Sequence, residues 1–233
     1  MNHPVLVITC EHAGNLIPAP YAGLFHDQQA VLETHRGYDP GALVMAEALA
    51  EAFEAPLLSS TESRLLVDLN RSVSNPSIHA EVVRRLPGTT RQAILTQHYQ
   101  PYRARAEALV RQAIAEHGAV IHLSSHSFTP VLDGVLRRAD VGLLYDPQRP
   151  GEVDLCARWK ASLKACAPAL VVRRNYPYAG KGDGLTRWFR QHLQPDVYVG
   201  IELEINQKYV LEGGRPWAAL RKVIVESLRQ TLV

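Results

Sequence analysis

The stretch VLVITCEHAGNLIP, residues 5–18, changes character halfway along. Val5 to Ile8 make a short β-branched run of strand length, which reads as a buried strand stopping near Cys10. Gly14-Asn15 then turns the chain. Glu11 and His12, two ionisable side chains, therefore fall at the carboxyl end of a core strand, the edge at which open α/β sheets bind ligands. A plainer reading makes His12 a hydrogen-bonded turn residue and leaves Glu11 solvated.

Working outward, strand and helix patterns alternate. Asp39-Pro40-Gly41 before ALVMAEALAEAF reads as an N-cap, a proline at the first helical position and an Ala/Leu-rich helix. APLLSS and RLLVDL are short strand candidates. Residues 72–90, punctuated by Pro, Ser, Asn and Gly, read as a long surface excursion of the kind that covers a site. A helix follows from about Gln92 to His117, with a break expected near Pro101 and an end at Gly118. Strands are expected at 119–124, at DVGLLY, at ALVVRR and at VYVGIELEI, with a helix over 152–166 and another opened by Pro216. This alternation implies an α/β fold: one domain over residues 1–233, three layers α/β/α, on a mostly parallel mixed sheet.

Composition narrows the class. A chain of 233 residues can bury a sizeable core, and 46% hydrophobic with 21% charged residues is ordinary for a globular protein. A net charge of +2, from 25 basic and 23 acidic residues, gives no field for nucleic acid or membrane. Cys10, Cys156 and Cys166 are too few and too irregular for a disulfide frame or a thiolate zinc site. No leader is read before Val5, and no apolar run approaches the ~20 residues of a membrane span. A cytoplasmic location is the expectation.

Five polar clusters carry the candidate chemistry: Glu11-His12, His35 to Asp39, Asp68 to Arg71, Ser125-His126, and the pair Glu202 and Glu204. Two-residue spacing on a strand puts both glutamates on one face, where burial is costly unless a metal, a cation or a proton offsets it. Histidine plus carboxylate without cysteine is the ligand set of a catalytic zinc with an open position. No helical HExxH occurs, so the ligands would have to come from separate loops. Each cluster also has a bland explanation. On spacing alone Asp39 is a helix cap, His126 a satisfied core histidine like His122, Arg64–Asp68 a salt bridge, and the glutamates solvent-facing residues of an edge strand.

CEHAGN, HRGYDPGA, SRLLVDLNRS, SSHSFTP, NYPYAGKGDG and IELEINQKY, in this order from Cys10 to Tyr209, resemble the N-formylglutamate amidohydrolase family. SRLLVDLNR is the most specific of them. The resemblance implies a phosphorylase/hydrolase-like (zinc exopeptidase-like) fold, one Zn2+ per chain and a small N-acyl amino acid as substrate. Zinc carboxypeptidases, more distantly similar, run metal histidine, Asn-Arg carboxylate grip, second metal histidine in a His-Ser step, and late catalytic glutamate. The matching positions are His12, Asn70-Arg71, His126-Ser127, and Glu202 or Glu204. Those enzymes carry a glutamate ligand three positions after the first histidine, where this chain has Asn15. The third ligand is assigned to Asp39, with Glu11 and His35 left open.

The implied roles follow. His12, Asp39 and His126 hold the metal, and Glu202 or Glu204 is the general base. Arg64 takes a second carboxylate or the oxyanion, and Asn70 and Arg71 grip the substrate carboxylate. Asn175 and Tyr178 lie on a substrate-covering loop, and Glu11 either orients His12 or coordinates beside it. CEHAG and the paired ELE depart from dedicated formylglutamate deformylases, where a proline commonly precedes the histidine, so another N-acyl amino acid or a short peptide fits too. Two other readings are a metallocarboxypeptidase-like peptidase and a metal-free protein binding small carboxylates through Arg64, Asn70 and Arg71.

Overall fold

The computed structural model describes residues 5–233, so the segment before Val5 lies outside the described residues. Its frame is a six-stranded sheet in the order β2-β1-β3-β8-β6-β7. The strands are β1 (Val5–Cys10), β2 (Leu57–Ser59), β3 (Val120–Phe128), β6 (Val141–Leu144), β7 (Val172–Arg174) and β8 (Tyr198–Asn206), with β4 (Val131–Leu132) and β5 (Val135–Leu136) forming a separate hairpin. Every pairing in the six-stranded sheet is parallel except β6 against β8. The helices are α1 (Gln29–Leu32), α2 (Ala42–Phe53), α3 (Glu81–Arg84), α4 (Gly88–Ile94), α5 (Gln100–His117), α6 (Pro150–Cys166), α7 (Leu185–His192), α8 (Lys208–Glu212) and α9 (Gly214–Leu232). Among the described residues no helix is long and apolar enough to cross a membrane.

Helices cover both faces, giving the three-layer α/β/α arrangement. Alternation along the strands divides the core in two. Ile121 and Leu123 of β3 and Ile201, Leu203 and Ile205 of β8 pack against α2, α6 and α9. Val120 and Tyr198 point the other way, towards α5 and α7. Ser124 and His126 share that second face with Glu202 and Glu204, their register partners on β8. The second face at the carboxyl ends of β1, β3 and β8 is where the polar side chains gather.

Several local expectations are corrected. β3 runs on through Phe128, four residues beyond its expected end, and its buried polar residues are satisfied by the start of α2: Ser125 Oγ donates to the Ala42 carbonyl and Ser127 Oγ to that of Pro40. RLLVDL is no strand. Turn bonds Leu66 N to Ser63 O and Arg71 N to Asp68 O bracket it, and Leu66, Val67 and Leu69 are all buried without alternation. The helix expected at Gln92 starts at Gly88 and accommodates Pro101 by a π-helical stretch at Leu95–Tyr99 rather than by breaking. The excursion after Ser72 contains α3 and buries Ile78, His79 and Val83. Asp39 is not the N-cap of α2 either. Gly41 is, at φ +82°, a conformation that favours glycine, and no side-chain cap bond is made.

A candidate metal centre at the sheet edge

β1 ends at Cys10, and the turn that follows carries Glu11 and His12 into the interior, 1% and 2% exposed. Asp39 N donates to the His12 carbonyl at 3.0 Å, which pins the Asp39 loop against that turn. Asp39 Oδ2 then lies 2.8 Å from His126 Nδ1 and 3.3 Å from His12 Nδ1. His12, Asp39 and His126 each offer a ligand atom, all within 4.8 Å of one another. Zinc bonds of about 2.0–2.2 Å at tetrahedral angles put neighbouring donors roughly 3.3 Å apart, so the spacing suits such an ion.

The outer ring nitrogens are held as metal-ligating histidines require. His12 Nε2 stands 2.7 Å from Asp68 Oδ1, and His126 Nε2 stands 3.1 Å from Glu11 Oε2. Glu11 thus lies behind His126, not beside His12 as one sequence option had it. It also accepts from Ser124 Oγ at 2.6 Å and Tyr102 Oη at 3.2 Å. His35 lines the cavity but is not in the donor set.

Charge balance makes the same point. Glu11, Asp39 and Asp68 are each at most 5% exposed, and Arg64 pairs with two of them, through Asp68 Oδ2 and Asp39 Oδ1. Three buried negative charges against one positive leave two, which two imidazolium protons or one dication can neutralise. Burial alone would raise all three carboxyls. His126 holds Glu11, the two histidines hold Asp39, and Arg64 with His12 holds Asp68, all well below the usual carboxylate range. Burial would likewise lower His126, but Asp39 and Glu11 hold it well above its ordinary value, so a metal ion would compete there with a proton. His122, by contrast, is a core histidine between Thr9 Oγ1 and Tyr198 Oη, pushed down to about 4 chiefly by burial.

A cavity of about 390 Å³ opens on the centre. It is lined by His12, Asp39, Arg64, Asn70, Arg71, His126, Tyr178, Glu202 and Glu204, all of the residues assigned from sequence to metal, substrate or catalysis but one. Asn175 is the exception. It faces a neighbouring groove, and its Oδ1 is engaged by Tyr145 N and Gly180 N. The two glutamates differ. Glu202 Oε1 accepts from Thr186 Oγ1 at 2.6 Å, whereas Glu204 Oε2 is buried without a partner. Burial first, then the charges of Asp39 and Glu202, push the Glu204 carboxyl up to about 8.

Arg71 Nη1 donates to the Asp183 carbonyl at 2.6 Å, and Asp183 Oδ2 accepts from Ser72 and Asn75, tying the glycine-rich loop to the segment after Arg71. Asn70 Oδ1 accepts from Leu185 N at the start of α7. A side chain at Gly184 would come within 2.9 Å of that Asn70 oxygen and 3.2 Å of Glu202 Oε1, so glycine is what lets α7 close down on both. Thr186, Ser124 and Tyr102 escape sequence reasoning because a lone hydroxyl in a helix or strand carries no periodic signal. Asp183 had only its place in GKGDG to mark it.

Comparison with known proteins adds the lineage. Residues 4–211 match the family profile described as N-formylglutamate amidohydrolase. The crystal structure of the Agrobacterium tumefaciens gene product Atu2144 is 30% identical with a TM-score of 0.85, over 98% of this chain and 90% of that one. An N-formylglutamate amidohydrolase from Ralstonia eutropha JMP134 superposes with a TM-score of 0.72 at 20% identity, over 99% of this chain and 94% of that one. A search of curated protein sequences finds no match.

Proposed function

The chain belongs to the N-formylglutamate amidohydrolase family, and from that premise we propose that it is a metal-dependent hydrolase cleaving the acyl amide of a small N-acyl amino acid, with N-formylglutamate the leading substrate. The observation that carries this reading is the convergence of two Nδ1 atoms and one carboxylate oxygen beneath a cavity, with both outer ring nitrogens on buried carboxylates. His12, Asp39 and His126 would hold a divalent ion, and their nitrogen and oxygen donors suit zinc. Such an ion supplies Lewis acidity at the acyl carbonyl and brings an attacking water's pKa towards ~7.

The protein's own groups do the rest. Glu204 Oε2, free of partners, takes the proton of the attacking water and returns it to the leaving amine nitrogen. Thr186 keeps Glu202 turned to one side, so that its charge repels a second anion at Glu204 without competing for the proton. Arg64 steadies Asp39 and Asp68 and adds positive field near the carbonyl oxygen. Arg71 makes no ion pair among the described residues and keeps donors for the substrate α-carboxylate.

That assignment has a kinetic signature. Arg71→Lys keeps the charge but loses the planar fork. KM is expected to rise about 10–100-fold with kcat nearly constant, as for a hydrogen bond to a charged group worth roughly 1.5–3 kcal/mol in ground and transition states alike. Metal content should not change. Steady-state kinetics beside elemental analysis checks this, and a fall in kcat at constant KM would move Arg71 into the chemistry.

The functional reading itself is tested by assaying metal-stripped and zinc-restored protein on N-formyl-L-glutamate, N-acetyl-L-glutamate and a C-terminal dipeptide. Formate release that depends on zinc and outpaces peptide cleavage is expected. Faster peptide cleavage would favour the carboxypeptidase-like alternative, and binding without turnover would favour a carboxylate-binding protein.

A further inference from the structure

Arg137 is 9% exposed, yet among the described residues no carboxylate pairs with it. Buried Arg190 is balanced by Glu152 and half-buried Arg64 by Asp68 and Asp39, whereas Arg137 is more buried than Arg64 and has no such partner. The Arg137 guanidinium instead lies over the rings of Tyr178, at 5.2 Å, and Phe128, at 5.9 Å, both of which line the catalytic cavity. Nη1 donates to Tyr178 Oη at 3.3 Å, while Nε and Nη2 donate to nothing among the described residues and are not sealed from solvent. The backbone is fixed on both sides: Arg137 N donates to the Pro130 carbonyl, and the Arg137 carbonyl accepts from Asn206 Nδ2.

An unpaired guanidinium taken this far out of water is costly unless an anion meets it. Two aromatic faces stiffen the fork without neutralising it, and a fork with a free edge is shaped for a carboxylate. The field reaches the cavity, since His35 on its wall is lowered first by burial and then by Arg137. Arg64 is less suited to a second substrate carboxylate, because three of its five N–H donors and its charge are already engaged by Asp68 and Asp39.

We propose that Arg137, framed by Phe128 and Tyr178, is the specificity-determining residue that takes the distal carboxylate of an N-acyl dicarboxylic amino acid. This rests on the hydrolase reading above, with the α-carboxylate at Arg71. An acidic substrate fills the subsite, while its neutral amide leaves a buried charge unmet.

The test has two arms. In the first, zinc-supplied wild type and R137Q are assayed on N-formyl-L-glutamate and the near-isosteric N-formyl-L-glutamine. Wild type is expected to favour the acid in kcat/KM by roughly 100-fold or more, and R137Q to bring the ratio within about tenfold by slowing the acid alone. Equal rates on both compounds in wild type, or an unchanged ratio in R137Q, would overturn the assignment. In the second arm, calorimetry of zinc-supplied protein compares glutarate with butyrate, with R137K as a second variant should R137Q fold poorly. Weakening of glutarate by roughly tenfold or more with butyrate unaffected supports the subsite; undiminished glutarate binding overturns it. Because calorimetry needs no turnover, failure of the hydrolase reading is told apart from failure of the subsite.

Discussion

Replacing Glu204 by glutamine is expected to lower kcat by about 10²–10⁴-fold with KM little altered, the range that a positioned general acid–base supplies. Glutamine keeps the shape and both polar atoms, so the fold and the metal content should survive. What disappears is, among the described residues, the one cavity-lining carboxylate oxygen that is buried with no partner. The pH profile should change as well. Glu204 acts as a base only when ionised, and without an ion its carboxyl is pushed up to about 8. A cation at the donor set favours the carboxylate, so the wild-type kcat/KM should climb with pH through a pKa below about 8 and then level off. The glutamine variant should lose that climb. Glu202→Gln is expected to retain much more activity, since one Glu202 oxygen is already committed to Thr186. Stopped-flow or steady-state assays over pH 5–9 would decide between the two, and full loss in Glu202→Gln with activity kept in Glu204→Gln would reverse the roles.

The second large effect is expected at Asp39. An Asp39→Asn change would keep size and hydrogen-bonding capacity but remove the negative charge that bridges the two Nδ1 atoms. Zinc affinity should fall by more than the roughly 10–100-fold typical of losing an outer hydrogen-bond partner, because a ligand itself is weakened. Helix α2 should not suffer, as its cap is Gly41 and Asp39 makes no side-chain cap bond. Competition with a chromophoric chelator measures the affinity, and excess zinc should restore part of the activity. Unchanged affinity in that variant would return Asp39 to a purely structural place.

The fold was legible where one physical signal acts alone. Val5–Cys10 and Tyr198–Asn206 are strands because short β-branched runs bounded by polar residues have few other ways to be buried. RLLVDL misled because a segment wrapped on all sides by core has the same apolar composition as a strand, and only its turn bonds tell them apart. Asp39-Pro40-Gly41 misled because a carboxylate just before a helix can serve a cap or a site, and local spacing does not register His126 across 87 positions. Motif order paired His12 with His126, Asp39 was added from its place at a helix start after a loop, and of the outer partners only Glu11 was named, for His12 rather than His126. Asp68 behind His12 and Glu11 behind His126 are contacts between distant loops, as is the placing of Arg137 over Phe128 and Tyr178. Such pairings depend on tertiary folding and leave no trace in local sequence.

Anomalous scattering at the zinc edge, from crystals of the zinc-loaded protein, tests the metal centre most directly. One peak is expected within about 2.0–2.2 Å of His12 Nδ1, His126 Nδ1 and an Asp39 oxygen, with Asp68 and Glu11 still on the far nitrogens. A peak bound by other residues, or none at this position in protein that carries zinc, would contradict it.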